Sequence, residues 1–482
     1  MKTIFISIPI GIIARNILQT DVFRILKAQK DLRIVLILPP NVDPHFRKEV
    51  ESENVIIEEW RGRVRAGILR HFILYPFMRN LVYTQTSKFI SLYGSKLDRP
   101  KYTPFRYFFK LLFFPPLSKI TFLKRFCSWL NDNFFAAYDR VYEPLFNQYK
   151  PDLVFATNLF HGPVCMALIR IARRRGIPTI GMVKSWDNLD KSLLITLSDT
   201  FLVWNEKMRE DLIKLQDVKP EKIIITGIPQ FDFYKNPKTF LSREEYCRQM
   251  GINPAKKILF FGSEGSTFPY DDEIVDILHQ FIVEGAFKED CVLLVRPHFR
   301  ESKLKKGRFE RFKNYPHLVL DKPDRTSGCF YEQWYPSFEN MVHLANNLYH
   351  CDVVIVSFST LSLDAVAFDK PIINVAFDGL RKRSKVESAM RVYKYTHYQQ
   401  VVRTGGVKLV YNKEELKDAI NQYLENPSLD SEGRERLRQR FCYKLDGKSS
   451  QRIAQCLLVK LDKEEKKFQF KGKVLTDITD II

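Results

Sequence analysis

Three short segments concentrate residues suited to holding phosphate oxygens. The first is Phe261-Gly262-Ser263-Glu264-Gly265-Ser266-Thr267. Gly262 and Gly265 let the backbone approach a ligand closely, while Ser263 and its neighbours offer hydroxyl and N–H groups. The segment lacks the closing G-K-[ST] of a Walker loop and does not match G-x-G-x-x-G. The second is Arg296-Pro297-His298. Arg296 offers a bidentate fork to a phosphate, and His298 can donate a hydrogen bond or a proton near neutral pH. The third runs from Val356 to Asp364, where Ser357, Ser359 and Thr360 lead into a helix whose first N–H groups would favour an anion. Asp364, one turn into that helix, would reach a ribose hydroxyl. Taken singly, each segment is also an ordinary polar turn, a strand-end histidine or an N-cap. Together they suggest a site for a nucleoside diphosphate.

Two further segments offer proton chemistry. Asn158-Leu159-Phe160-His161-Gly162-Pro163 follows an apolar run and precedes a helix, which makes His161 a candidate base for an acceptor hydroxyl. Ser185-Trp186-Asp187-Asn188-Leu189-Asp190-Lys191 carries a ring that can stack and a carboxylate, Asp187, that can orient a hydroxyl or take its proton. A structural histidine at a helix start and a packed tryptophan beside an Asx-turn are the plain alternatives.

The elements that must position these residues alternate short apolar runs with amphipathic helices, the pattern of parallel sheets in an α/β protein. Strands are expected at 3–8, 33–38, 54–57, 153–157, 179–182, 200–204 and 222–226. After the boundary sequence Gly227–Pro237 they resume at 257–261, 291–295, 318–320, 353–357, 371–375 and 407–410. Helices are expected at 163–174, 271–283, 339–348, 361–368 and 413–424. Behind the first strand, a turn at Gly11 leads into a helix opening at Ala14. The reading is therefore two doubly wound, Rossmann-like domains facing across a cleft. One spans 1–228 and carries an insertion at 61–130, the second spans 238–430, and a helical tail covers 431–482. Ligands of such sheets bind at the carboxyl ends of the strands, where all five segments fall.

Composition supports a folded chain. Of 482 residues, 45% are hydrophobic and 27% charged, which excludes disordered and collagen-like classes. The net charge is +20, and residues 61–130 hold 14 Lys or Arg against one acid, Asp98, so the window supplies +13 of it. Sixteen aromatic residues lie in the same window. Cations interleaved with rings suit an anionic lipid surface; a solvated basic face over core helices and single-stranded nucleic acid are the alternatives, and no nucleic acid partner is expected. The apolar stretch Ile4–Ile13 is too short to span a bilayer. The eight cysteines form no C-x-x-C pair and no zinc spacing, which fits core thiols in a reducing compartment.

The ordered set of motifs resembles the GT-B glycosyltransferase superfamily, in particular the bacterial surface-carbohydrate branch similar to CDP-glycerol glycerophosphotransferases. GIPQFDFY (Gly227–Tyr234) is similar to that family's G-x-P-x-x-D linker. RPHFR resembles its R-x-H-P element, with Phe299 where Pro is usual. SFSTLSLDAVAFDKP (Ser357–Pro371) resembles its donor segment, and LFHGP its acceptor-side histidine. The resemblance implies transfer from a nucleotide-activated donor to a hydroxyl of a membrane-linked or polymeric acceptor, with no catalytic metal and no cofactor beyond the donor. It also implies that His161 and His298 face each other across the cleft. The working expectation is a glycosyltransferase with a nucleotide-sugar donor, cytoplasmic and peripheral to the inner membrane face. A CDP-glycerol-type glycerophosphotransferase, a non-hydrolysing sugar-nucleotide epimerase and a non-enzymatic membrane scaffold are the rivals.

Overall fold

A computed structural model describes residues 1–60, 73–93, 104–134, 137–160, 162–299, 301, 307–321, 330, 334–385 and 387–462. Two all-parallel sheets form the frame. The first contains β1 (Lys2–Ser7), β2 (Leu32–Leu38), β3 (Val55–Glu59), β4 (Leu153–Ala156), β5 (Thr179–Met182), β6 (Thr200–Val203) and β7 (Ile223–Ile225), in the order β3-β2-β1-β4-β5-β6-β7. The second contains β8 (Lys257–Gly262), β9 (Cys291–Arg296), β10 (Leu318–Leu320), β11 (Val353–Val356), β12 (Ile372–Val375) and β13 (Lys408–Val410), in the order β10-β9-β8-β11-β12-β13. The central strands read as continuous apolar runs because both their faces are covered; β4, β5 and β9 are buried throughout.

The register places the candidate loops. Gly262 pairs with Arg296 on one side and Val356 on the other, so the loops after β8, β9 and β11 leave three neighbouring strands at one level. The direction in which successive strands are added reverses between β8 and β11, and between β1 and β4 in the first sheet. A crevice opens at such switch points, and ligands of this architecture lie there.

Helix α1 (Gly11–Leu18) follows β1, and α2 (Asp21–Lys27) follows at once. The expected single helix is therefore two, and Gly11 starts α1 instead of preceding it. The break is at Thr20, which is extended (φ −118°, ψ 170°) and turns its hydroxyl onto the Asn16 and Ile17 carbonyls. The later helices used below are α3 (Gln85–Tyr93), α4 (Pro104–Leu117), α5 (Thr121–Phe134), α6 (Pro163–Arg174), α7 (Leu361–Val366), α8 (Thr396–Arg403), α9 (Ser431–Phe441) and α10 (Ser449–Leu461).

Segment Pro229–Lys235 forms a 3-10 turn between the sheets. Its Asp232 accepts the Ser449 and Ser450 N–H groups at 3.0 and 2.7 Å, capping α10, which packs back on α2 of the first half. Gly227 is required here: it has φ 89°, and a Cβ would collide with the Ser449 hydroxyl. One apolar cluster runs through both halves and includes α9 and α10 residues such as Phe441 and Leu457.

Candidate active site at the carboxyl edges of the two sheets

The loop after β8 folds onto its neighbours. Gly262 approaches Leu361 so closely that a Cβ would collide with it. The Ser263 hydroxyl accepts the Gly265 N–H at 3.1 Å. Gly265 has φ 56°, and a Cβ there would stand 2.9 Å from His298 Nδ1. The glycine thus makes room for the histidine, so two of the candidate segments are packed directly together.

Glu264 joins the first segment to the third. Its carboxyl accepts the Phe358 N–H at 3.4 Å and bonds the Ser359 side chain. Burial and then the neighbouring Asp271 push it up to about 8, and burial likewise pushes Asp271 to about 7 against the pull of Arg308. At neutral pH Glu264 holds its proton, so the start of α7 carries little fixed negative charge of its own. Helix α7 is six residues long, shorter than expected, so Ser357, Ser359 and Thr360 present individual N–H and hydroxyl groups and not a long dipole. The Ser357 hydroxyl is buried with no hydrogen-bond partner, Ser359 is half-buried and Thr360 is exposed.

Asp364 is occupied from outside its own helix. It accepts the hydroxyl of the linker residue Tyr234 at 2.6 Å. Burial raises it to about 6, against the stabilising Tyr234 bond and the Arg15 charge.

Arg296 corrects the expectation of a phosphate clamp. One Nη pairs with Asp321 and the other donates to Asn340 at 3.1 Å, and the side chain is buried. Asp321 also takes His343 at 2.8 Å and Asn347 at 2.8 Å. Burial opposes its charge, but Arg296 and His343 hold it down to about 2. The fork ties β9 to the loop after β10, leaving the strand-end carbonyl to accept the Ser263 N–H at 3.0 Å. His298 stacks on Phe299, centroids 4.2 Å apart at 29°.

In the first half, Asp187 pairs with Lys191. Burial would raise its pKa, yet Lys191 and then His397 hold it far below the usual carboxylate range. A carboxylate so stabilised is a poor proton acceptor, which corrects the reading of Asp187 as base and leaves it an orienting role. Trp186 is a buried wedge, edge-on to His397 (5.3 Å) and Phe441 (5.3 Å), and no stacking platform. His161 lies outside the described residues; its loop joins β4 to α6 beside the switch point. Among the described residues no group of three His, Cys, Asp or Glu side chains could hold a metal ion.

The site also contains residues the sequence reading missed. Asp190 and His397 meet across the two halves, joined by Thr86 of α3. Arg15 of α1 and Tyr234 converge on Asp364. Arg15 carried one visible signal, a lone cation in the apolar run from Ile4 to Leu18. The Asp190–His397 pair, 207 residues apart, carried none.

Two doubly wound parallel sheets, with the candidate loops at the carboxyl ends of their strands, define the GT-B fold, and the family matched on it is one of nucleotide-activated transferases. The sequence profile of the family described as CDP-Glycerol:Poly(glycerophosphate) glycerophosphotransferase matches residues 182–459, more than half of the chain, and the protein belongs to that family. No curated protein matches the chain. Among solved structures it is similar to Staphylococcus aureus MnaA with UDP, at 13% identity and TM-score 0.53 over 95% of this chain and 96% of that one. It is also similar to the UDP-GlcNAc 2-epimerase of Neisseria meningitidis bound to UDP-GlcNAc, at 11% identity and TM-score 0.52 over 95% and 100%. At these identities the likeness concerns the fold.

Proposed function

We propose that the protein transfers glycerol phosphate, or a closely related polyol phosphate, from a CDP-activated donor to a hydroxyl of a membrane-linked or polymeric acceptor. The family match carries this reading, because residues 182–459 include the linker and every donor loop of the second half. The loops after β8 and β11 hold the donor through Gly262, Ser263, Gly265, Ser357, Ser359 and Thr360, with His298 seated on Gly265, while Asp364, taken by Tyr234, is not free for the ribose contact expected of it. The acceptor hydroxyl attacks the phosphorus of the glycerol phosphate, His161 takes its proton, and CMP leaves. Neutralisation of the leaving phosphate falls to protein N–H groups and cations, so EDTA is expected to leave transfer intact.

The membrane side of the reading rests on α5. Phe122, Phe126 and Trp129 follow helical spacing and stack in a row, at 6.0 Å and 14° and then 6.0 Å and 21°, and Phe134 closes the row edge-on to Trp129. Phe122 is 76% exposed and Phe134 66%. Phe108, Leu112 and Phe113 of α4 are exposed as well. The opposite face of α5 is pinned by Lys124, which reaches the Leu215 carbonyl at 3.0 Å and Asp217 at 2.9 Å, and on the flank of the row Arg125 reaches the Asp217 carbonyl. These two cations therefore face the protein, and it is the rings that face outward. A contiguous exposed apolar face of this kind marks an interaction surface, and amphipathic helices bury such a face in the acyl boundary. Among the described residues no helix is long and apolar enough to cross a membrane.

The test is incubation of the purified protein with an acceptor-bearing membrane fraction and CDP-glycerol, UDP-sugars or GDP-sugars in turn. Acceptor-dependent CMP release from CDP-glycerol supports the proposal. Release of a nucleoside diphosphate from a nucleotide sugar would instead establish the glycosyltransferase reading on the same fold.

A further inference from the structure

The ring stack that starts at His298 does not end in its own half. His298 lies on Phe299, Phe299 lies on Trp334 at 4.1 Å and 20°, and the Arg15 guanidinium stands 5.9 Å from the centre of the Trp334 ring. Arg15 comes from α1, which leaves the first sheet at its own switch point, between β1 and β4. The seam around it is tight. A Cβ on Gly11 would collide with the Trp334 carbonyl, Gln19 bonds Tyr335, and Phe46 packs edge-on to Phe330 (5.5 Å) and Tyr335 (4.8 Å).

Arg15 is under-satisfied for a cation in such a place. Its Nε donates to Asn16 Oδ1 at 2.9 Å, and among the described residues neither Nη group meets a protein acceptor or an ion-pair partner. Asp364 acts on it only through space, and one carboxyl oxygen of Asp364 is already bonded to Tyr234. The Trp334 indole N–H near it is buried without a partner. Arg15 is half-buried, and burial lowers its pKa. A guanidinium stays charged in such a place, and its fork matches two phosphate oxygens.

We propose that Arg15 is the ligand through which the first half holds the phosphate that departs with the nucleotide, and that the His298–Phe299–Trp334 stack positions it. The inference rests on the nucleotide-transferase reading above. In the step it serves, a bond forms between the acceptor oxygen and the phosphorus of the transferred group. The bond from that phosphorus to the bridging oxygen breaks, its electron pair stays on the nucleotide phosphate, and the acceptor proton goes to the base. The Arg15 Nη–H groups donate to the oxygen on which charge grows. The departing phosphate fits better than an acceptor phosphate because the partner Arg15 acts on through space, Asp364, stands on the donor-side helix α7. Phe299, where relatives place proline, then has a purpose: a planar ring continues the stack, which proline would interrupt.

The test compares CDP with cytidine, and UDP with uridine, on the wild-type protein, Arg15→Gln and Arg15→Lys by calorimetry, with CMP release measured on the same proteins. Arg15→Gln is expected to weaken CDP at least about 10-fold while cytidine changes less than about 2-fold, and to lower kcat by about 100-fold. Arg15→Lys is expected to fall between, as a point charge without the fork. Trp334→Ala is expected to reproduce part of the loss and to add little to Arg15→Gln. Equal CDP affinity and turnover in Arg15→Gln, or parallel losses for CDP and cytidine, would overturn the inference and leave the transferase reading standing. A wild-type protein that binds no nucleotide would sink both.

Discussion

Asp190 and His397 close on each other from the two halves of the molecule: Nδ1–H of His397 donates to Asp190 Oδ2 at 3.1 Å, and the His397 backbone N–H donates to the same oxygen at 3.0 Å. The Thr86 hydroxyl adds a third bond at 2.6 Å. Because a carboxylate only accepts, the ring nitrogen facing Asp190, Nδ1, carries a proton. The seam is therefore a specified polar junction as well as an apolar one. Trp186 seals its edge, and Lys191 and Asp187 pair beside it.

That junction predicts an acid-sensitive contribution to stability. Burial works against the Asp190 charge, but His397, Lys207 and Thr86 hold its pKa down at about 2. A depressed carboxylate contributes stability that is complete above its ordinary value of about 4 and is lost as pH falls toward 2. Asp190→Asn is expected to cost about 1.5–3 kcal/mol at pH 7, the worth of hydrogen bonds to a charged group. Urea titrations of both proteins between pH 7 and pH 3 should show the gap narrowing on the acid side. A constant gap would mean that Asp190 is not charged in the folded protein.

Glu264 predicts the opposite slope. Its folded pKa of about 8 lies above its ordinary value, so the folded protein keeps a proton that the unfolded chain releases. Stability is then full below about pH 4.5 and falls as pH rises toward 8, at about 1.4 kcal/mol per unit where the two states differ by a whole proton. Glu264→Gln imitates the neutral acid and is expected to be more stable than wild type by at least about 1.4 kcal/mol at pH 8, with the advantage shrinking by pH 5. Thermal unfolding of the two proteins across that range checks it. A Glu264→Gln protein less stable at pH 8 would show that the carboxyl is ionised at the α7 start.

The frame was legible because buried parallel strands have an unambiguous pattern. Thr179–Met182, Leu318–Leu320 and the helix Pro163–Arg174 fall where the apolar runs and the Gly176-Ile177-Pro178 stop put them. Register then brought the three donor segments level, which their position after strands had already suggested. What residue type did not reveal was partnership. Arg296 ends a strand as a phosphate ligand would, but Asp321, 25 residues on, claims it. Asp187 has Lys191 four residues away in plain view, yet only the fold turns that spacing into an ion pair. Thr20 lay inside a helical pattern, and its own hydroxyl ended the helix.

Gly265 tests whether His298 must sit where it does. With φ 56° and a would-be Cβ 2.9 Å from the imidazole, an alanine there is strained and displaces the ring. Gly265→Ala is expected to cost about 1 kcal/mol of stability and to lower transfer at least about 10-fold. Unfolding midpoint and CMP release measured on the same preparation separate the two effects. Unchanged transfer would exclude His298, in this position, from the reaction.

The aromatic row on α5 makes the last prediction, and it is independent of the chemistry. Phe122 and Trp129 stand in water at 76% and 52% exposure, while Lys124 and Cys127 anchor the other face of the helix to the protein. Burying one such ring in an acyl boundary is worth about 1.5–3 kcal/mol, so the pair supplies roughly 3–6 kcal/mol of membrane affinity. Phe122→Ser combined with Trp129→Ser is then expected to weaken binding to vesicles of phosphatidylglycerol and phosphatidylethanolamine at least about 100-fold. Binding of CDP, measured in solution, should be untouched because the helix is held by its opposite face. Sedimentation with vesicles at low and at 0.5 M salt divides the contributions: the ring part persists in salt and the part owed to surrounding cations does not. Equal sedimentation of wild type and the double variant would mean that this face meets something other than lipid.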